Sequence, residues 1–323
     1  MSSAVKKVLI IRFSSIGDIV LTTPVIRAIR QQLPAASVQF ITKKQFEPIL
    51  KSNPNIDKLW LYHGNFRELM PKLRAERFDF IVDLHKNPRS EYVKLMLGRP
   101  SGTFTKLNIR KWMIVNFKWN FLPDVHIVDR YFKAARKMGV KNDGKGLDYF
   151  IPSEDEVVPA YPEFIAIVIG GKHITKIFPP EKVAEVINKL NRPAILLGGV
   201  EDRERGDQIM QLSSGLLLNA CGEYSLNQAA SVVRQSSAVL TNDTGLMHIA
   251  AAFRKKMVSV WGNTIPGFGM YPYLPEGIAS SYIAEVTGLE CRPCSKLGFR
   301  ECPRQHFRCM LDISVDDIAS HLD

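Results

Sequence analysis

Short apolar runs, bounded by polar or glycine-containing turns, recur along this chain. Between them lie segments whose apolar positions follow a helical period. In the first half the runs are Val8–Phe13, Val38–Thr42, Leu59–Tyr62, Phe80–Leu84 and Gly102–Thr105. Their length and content predict buried strands. Ile19–Gln32, Asn65–Leu73 and His126–Met138 read as helices. The stretch Ile151–Pro162 breaks this rhythm with three prolines and the acidic cluster Glu154-Asp155-Glu156, as an interdomain linker would. A second series follows. Its strands are predicted at Phe164–Ile169, Ala194–Leu197, Leu216–Leu218, Ala238–Thr241 and Met257–Trp261, and its helices at Pro180–Leu190, Asp202–Leu212, Leu226–Arg234 and Gly245–Phe253. Strands alternating with helices predict an α/β fold with parallel sheets. Two Rossmann-like domains, residues 1–155 and 156–323, are expected to face each other across an interdomain cleft.

Length and composition agree with two ordinary domains, since 323 residues with 46% hydrophobic and 23% charged positions are globular in character. No apolar run approaches the roughly 18 residues of a membrane span. Lys6-Lys7 followed by Val8–Ile11 imitates the start of a signal peptide, but Arg12 ends the run and Asp18 follows. A cytoplasmic protein is expected. The net charge of +11 is unevenly spread. Residues 1–150 hold 27 Lys and Arg against 12 Asp and Glu, and the remainder holds 16 against 20. Only the first half is therefore suited to a large polyanion.

Four constellations could carry chemistry. Arg12-Phe13-Ser14-Ser15-Ile16-Gly17-Asp18 follows the first strand, where open parallel sheets bind ligands. Asp18 there is either a functional carboxylate or a helix cap. Thr241-Asn242-Asp243-Thr244-Gly245, with His248 one turn on, stands at a strand-to-helix junction. Backbone N–H groups at such a helix start suit a diphosphate. Gly170-Gly171 with Lys176, and Gly198-Gly199 with Glu201-Asp202, occupy two further strand ends. The lysine suits a phosphate and the carboxylate a ribose. The fourth is Cys291-x2-Cys294-x7-Cys302-x6-Cys309 with His306 inside it. Its opening spacing suits a structural zinc, though free or redox-labile thiols remain open.

These segments together resemble the lipopolysaccharide heptosyltransferases, glycosyltransferase family 9, from Val8 to about Met310. The most specific portions are Arg12–Pro24, Asn242–Ala252 and Val260-Trp261-Gly262-Asn263-Thr264. The resemblance implies a GT-B fold and an inverting, metal-independent transfer, with no cofactor for catalysis. It gives Asp18 the role of catalytic base. Lys176, Asp202, Tyr224, Asp243, Thr244, Gly245 and His248 would bind the donor, an ADP-activated heptose. Arg12, Ser14, Ser15, Gly17, His85 and Lys86 would lie on the acceptor side. The acceptor implied is the anionic lipid A core, met at the inner face of the cytoplasmic membrane. One departure stands out, Phe178-Pro179 where tryptophan-proline is more usual, and Glu201 adjoins Asp202.

Two other classes fit parts of this pattern. A nucleotide-sugar epimerase would share the two domains but need no acceptor. A nucleic-acid-binding protein would explain the basic half. Its basic residues are scattered rather than interleaved with aromatics, and no nucleic-acid module is evident, so no nucleic-acid partner is expected.

Overall fold

The computed structural model of the chain describes residues 5–275, 277–278 and 280–323. Its contacts divide it into two units, Met1–Lys106 with Val125–Phe150, and Leu107–Asp124 with Ile151–Asp323.

In the first unit, β1 (Lys7–Ile11), β2 (Ser37–Lys43), β3 (Lys58–Tyr62), β4 (Phe80–Asp83) and β5 (Ser101–Thr103) form one sheet. Every pair is parallel, in the order β3-β2-β1-β4-β5. Val8 to Ile11 and Phe80 to Asp83 are buried without alternation, as strands covered on both faces must be. Leu9, Ile11, Phe13, Ile41, Leu73, Phe78 and Ile81 build the core of one face.

In the second unit, β6 (Ile165–Val168), β7 (Ala194–Leu197), β8 (Leu217–Asn219), β9 (Ala238–Asn242), β10 (Lys256–Trp261) and β11 (Ser281–Glu285) form a second parallel sheet. Its order is β11-β10-β9-β6-β7-β8. In both sheets the first strand lies centrally and the chain winds outward first to one side, then to the other. This is the doubly wound Rossmann order, and its winding reverses between β1 and β4 and between β6 and β9.

Several elements differ from the expectation. The helix expected over Ile19–Gln32 is two helices, Ile16–Val20 and Thr23–Gln32. At the junction Thr22 Oγ1 donates to Ile19 O at 2.6 Å and Thr23 Oγ1 to Val20 O at 2.8 Å, and Pro24 offers no N–H. Strand β11 and the helices Pro88–Leu97, Asn108–Phe117 and Val315–Leu322 have no counterpart in the sequence reading. The proline-rich stretch 151–162 is fastened to the second unit. Asn227 Nδ2 donates to Asp155 Oδ2 at 2.8 Å, and Ser231 Oγ and Arg234 Nη2 donate to Glu156 Oε2 at 2.7 and 2.6 Å. Among the described residues no helix is long and apolar enough to cross a membrane.

Candidate functional site

The first-unit candidates gather at the carboxyl ends of β1 and β4, the point where the winding reverses. Arg12 is buried just past β1. Its Nε donates to Ser14 O at 2.7 Å, and its Nη1 donates to Leu84 O at 2.5 Å and Tyr131 Oη at 3.0 Å. Its Nη2 lies 2.6 Å from Asp18 Oδ1. Burial opposes the Arg12 charge, but Asp18 beside it holds the guanidinium above its ordinary pKa. Asp18 is the third residue of the helix that Ser15 caps. Its Oδ2 accepts from Ser15 Oγ at 2.7 Å and from Ser15 N at 3.3 Å. The carboxylate therefore completes one half of a capping box, yet about 21% of its side chain is open to solvent. Gly17 is buried within the same turn.

Beside this turn, Asp83 organises the end of β4. It is fully buried and accepts from His85 N, Lys86 N and Ser90 Oγ at 2.8–2.9 Å, with Lys94 Nζ 3.2 Å away. That turn sets His85 edge-on to Phe13 at 5.6 Å between ring centroids. Its Nδ1 is buried without a hydrogen-bond partner among the described residues. Burial, helped by the charges of Arg12 and Lys106, pushes the His85 pKa down to about 4. Lys86 is exposed, with φ at 50°.

The His85 imidazole is accordingly expected to stay neutral until the pH falls to about 4. The unfolded chain takes up this proton nearer pH 6.5. The stability gained from a neutral ring is thus complete above about 6.5 and lost as pH falls toward 4. Titration of the ring proton resonances by NMR checks this, and a midpoint near 6.5 would contradict it.

The second-unit candidates meet at the ends of β6, β7, β9 and β10. Asn242 is buried at the end of β9, where its Oδ1 accepts from Phe178 N at 3.0 Å. Its Nδ2 donates to Val168 O and Gly170 O at 3.3 and 3.2 Å, tying the glycine loop to the next strand. A Cβ on Gly171 would stand 3.8 Å from Thr244 Cγ2, and one on Gly262 would stand 2.7 Å from Thr175 O. Three loops therefore converge. Lys176 Nζ lies 2.5 Å from Asp243 Oδ2, which also accepts from Thr264 Oγ1 at 3.0 Å. Lys176 is thus half of an ion pair. Thr244 caps the helix Gly245–Ala252, and its Oγ1 is buried without a hydrogen-bond partner among the described residues. His248 is buried one turn along the same helix.

Asp202 sits among the glycine turns that follow β6 and β7. It is 3% exposed, accepts from Gly199 N at 2.9 Å and pairs with Arg205. A Cβ on Gly170 would meet its Oδ2 at 2.5 Å, so Asp202 braces two glycine turns from beneath. The neighbouring Glu201 is exposed. Tyr224 is half-buried in the loop after β8, which packs against the same turn through Gly222 N and Gly198 O at 3.1 Å.

Two contributors had no role assigned from sequence. Tyr131 is buried on the helix Ile127–Ala135 and accepts from Arg12. Asn263 is 1% exposed, with neither side-chain amide atom hydrogen-bonded among the described residues, beside Thr264 in the loop after β10. Orphaned polar atoms on both Thr244 and Asn263 mark this edge as built for a polar ligand.

The cysteine-rich tail serves the same loop. Arg292 donates from Nε to Gly262 O at 2.6 Å and from Nη2 to Thr264 O at 2.8 Å, while pairing with Glu285 at 2.7 Å. Cys291, Cys294, Cys302 and Cys309 are free thiols. Cys294 Sγ donates to Cys291 O at 3.0 Å, and Cys291 Sγ lies 3.7 Å from His306 Nε2. Burial pushes the Cys294 and Cys309 thiols up to about 12 and about 11, so both keep their protons at neutral pH. Among the described residues no group of three or more His, Cys, Asp or Glu side chains is arranged to hold a metal ion.

Comparison with known proteins bears on the whole chain. The model of glycosyltransferase family 9 (heptosyltransferase) matches residues 66–299. Lipopolysaccharide heptosyltransferase 2 of Escherichia coli K12 is 25% identical over 81% of this chain and 84% of its own length. The solved E. coli ADP-heptose lipopolysaccharide heptosyltransferase II superposes with a TM-score of 0.74 at 20% identity, covering 98% of this chain and 97% of that one. An E. coli heptosyltransferase solved with ADP gives 0.66 at 19% identity, covering 86% and 92%. These structural likenesses show the GT-B fold. With the family model matching well over half its length, the chain belongs to glycosyltransferase family 9, the heptosyltransferases, and is a glycosyltransferase.

Proposed function

We propose that this chain transfers a heptose from ADP-heptose to the inner core of lipopolysaccharide, with inversion and without a catalytic metal. The observation that carries the reading is the pair of sites at the two winding reversals. One holds a part-exposed carboxylate clamped by an arginine, and the other holds a lysine, a helix start and orphaned polar side chains. The relatives named above as acting on ADP-heptose and lipopolysaccharide support the choice of donor and acceptor.

In this reading residues 1–155 take the acceptor and 156–323 the donor. Asp18 accepts the proton of the acceptor hydroxyl as its oxygen attacks the anomeric carbon. Arg12 and Ser15 hold that carboxylate in place. Neutral His85 and exposed Lys86 contact the acceptor sugar. Negative charge growing on the departing ADP falls on Lys176, His248 and the N–H groups at Thr244-Gly245. Asp243 and Thr264 fix where the lysine stands. Tyr224 packs the base, and Asp202 shapes the turn that meets the ribose. The enzyme works from the cytoplasm at the inner membrane face, where its acceptor is embedded.

A thermal-shift comparison tests the donor assignment. A ligand bound only by the folded state raises stability with its occupancy. ADP is expected to raise Tm well above the shift given by equal concentrations of UDP or GDP. Equal shifts from all three would leave the adenine preference without support.

A further inference from the structure

The segment 106–123 carries four cations, Lys106, Arg110, Lys111 and Lys118, and no carboxylate. It also turns its large apolar side chains outward. Ile109 is 76% exposed, Trp112 55%, Phe117 49%, Trp119 57% and Phe121 56%, while Ile114 alone is buried in the helix Asn108–Phe117. Three of these rings form one surface cluster. Phe117 lies 5.2 Å from both Trp112 and Trp119, measured between ring centroids. This is the reverse of a helix that packs its apolar face on a core.

Polar contacts hold the segment in that attitude. Lys118 ends the helix with φ at 61° and donates from Nζ to Val115 O, Cys291 O and Pro293 O at 3.1, 3.1 and 2.9 Å. Lys111 Nζ stands 5.0 Å from the Phe268 ring, and Arg110 Nη1 donates to Phe121 O at 3.1 Å. The Lys111 and Lys118 ammonium groups meet the protein while the indoles are exposed. A contiguous apolar patch of this kind marks an interaction surface. Tryptophan and phenylalanine flanked by cations, with no acidic side chain, match the boundary between headgroups and acyl chains of an anionic bilayer.

We infer that Ile109, Trp112, Phe117, Trp119 and Phe121 seat this chain in the surface of an anionic lipid bilayer. The inference deepens the lipid-acceptor reading by naming the surface that meets the membrane. Vesicle binding without donor or acceptor tests it separately from sugar transfer. The chain has four tryptophans, and Trp60 and Trp261 are buried, so lipid-dependent fluorescence reports on Trp112 and Trp119.

The experiment compares phosphatidylethanolamine–phosphatidylglycerol vesicles with phosphatidylcholine vesicles, each with and without brominated acyl chains. Expected are a blue-shifted and bromine-quenched emission on the anionic vesicles only, and binding that weakens with salt. The triple variant Trp112→Ser/Phe117→Ser/Trp119→Ser is expected to lose about 10- to 100-fold in vesicle partition. Its stabilisation by ADP should be unchanged, which shows that it is folded. Absent vesicle binding, equal binding to neutral vesicles, or undiminished binding by the folded triple variant would each overturn the inference. So would a variant whose sole change is loss of self-association, since the patch would then belong to a second copy of the chain.

Discussion

Asp18→Asn is expected to lower turnover by about 100- to 10,000-fold, the usual cost of losing a general base. The affinity for ADP should hardly change, because the donor is assigned to the other unit. This variant separates two roles that one carboxylate can fill. Asp18 takes part in the cap of the helix Ile16–Val20 and pairs with Arg12. Asparagine keeps the size of the side chain and can still accept from Ser15 N. Its loss of charge leaves the buried Arg12 without this carboxylate, and a fall in Tm would report that cost. Turnover within a few-fold of wild type would remove Asp18 from the chemistry and leave it as a cap. A large loss of turnover, with ADP binding intact at a temperature where both proteins are folded, is what the account requires.

Lys176→Met is expected to weaken ADP binding by about 10- to 150-fold, the equivalent of one charge-assisted contact worth about 1.5–3 kcal/mol. The ion pair with Asp243 complicates this reading, because removing the lysine leaves a carboxylate at the proposed diphosphate site. Adding Asp243→Asn tests the point. If Lys176 bonds phosphate directly, the double variant stays nearly as weak as Lys176→Met. Full recovery of ADP affinity in the double variant would show that Lys176 serves only to neutralise Asp243. Isothermal calorimetry of wild type, both single variants and the double variant completes the cycle.

The sequence carried the architecture because fully buried parallel strands are hard to disguise. Ala194–Leu197 and Pro180–Leu190 lie where their patterns put them, since apolar runs and a helical stripe are local signals. Strand β11 lacked that signal. It is an edge strand in which Ala284 alone is buried. The helix Asn108–Phe117 shows no apolar stripe facing a core, for its apolar side chains point outward. The break at Leu21-Thr22 depended on hydroxyl-to-carbonyl bonds that composition does not announce.

The site was legible to a similar depth. Strand ends with glycine, charge and a following helix were visible, and they do converge in each unit. Partnerships were not visible, because they join residues far apart in sequence. Arg12 meets Tyr131 across 119 positions, and Lys176 meets Asp243 across 67. Asp202 and Asn263 show the same limit from opposite sides. The burial of Asp202 against glycine turns, and the unsatisfied amide of Asn263 among the described residues, both follow from tertiary packing that local pattern does not show.

Sugar transfer itself is the most direct test. Purified protein would be incubated with ADP-heptose and a Kdo-bearing lipid A acceptor, following product mass and ADP release together. The account predicts a product heavier by one heptosyl residue, with one ADP released per transfer and the anomeric configuration inverted. An unchanged acceptor under conditions where the protein is folded and binds ADP would contradict it. So would conversion of ADP-heptose to an isomer without release of ADP.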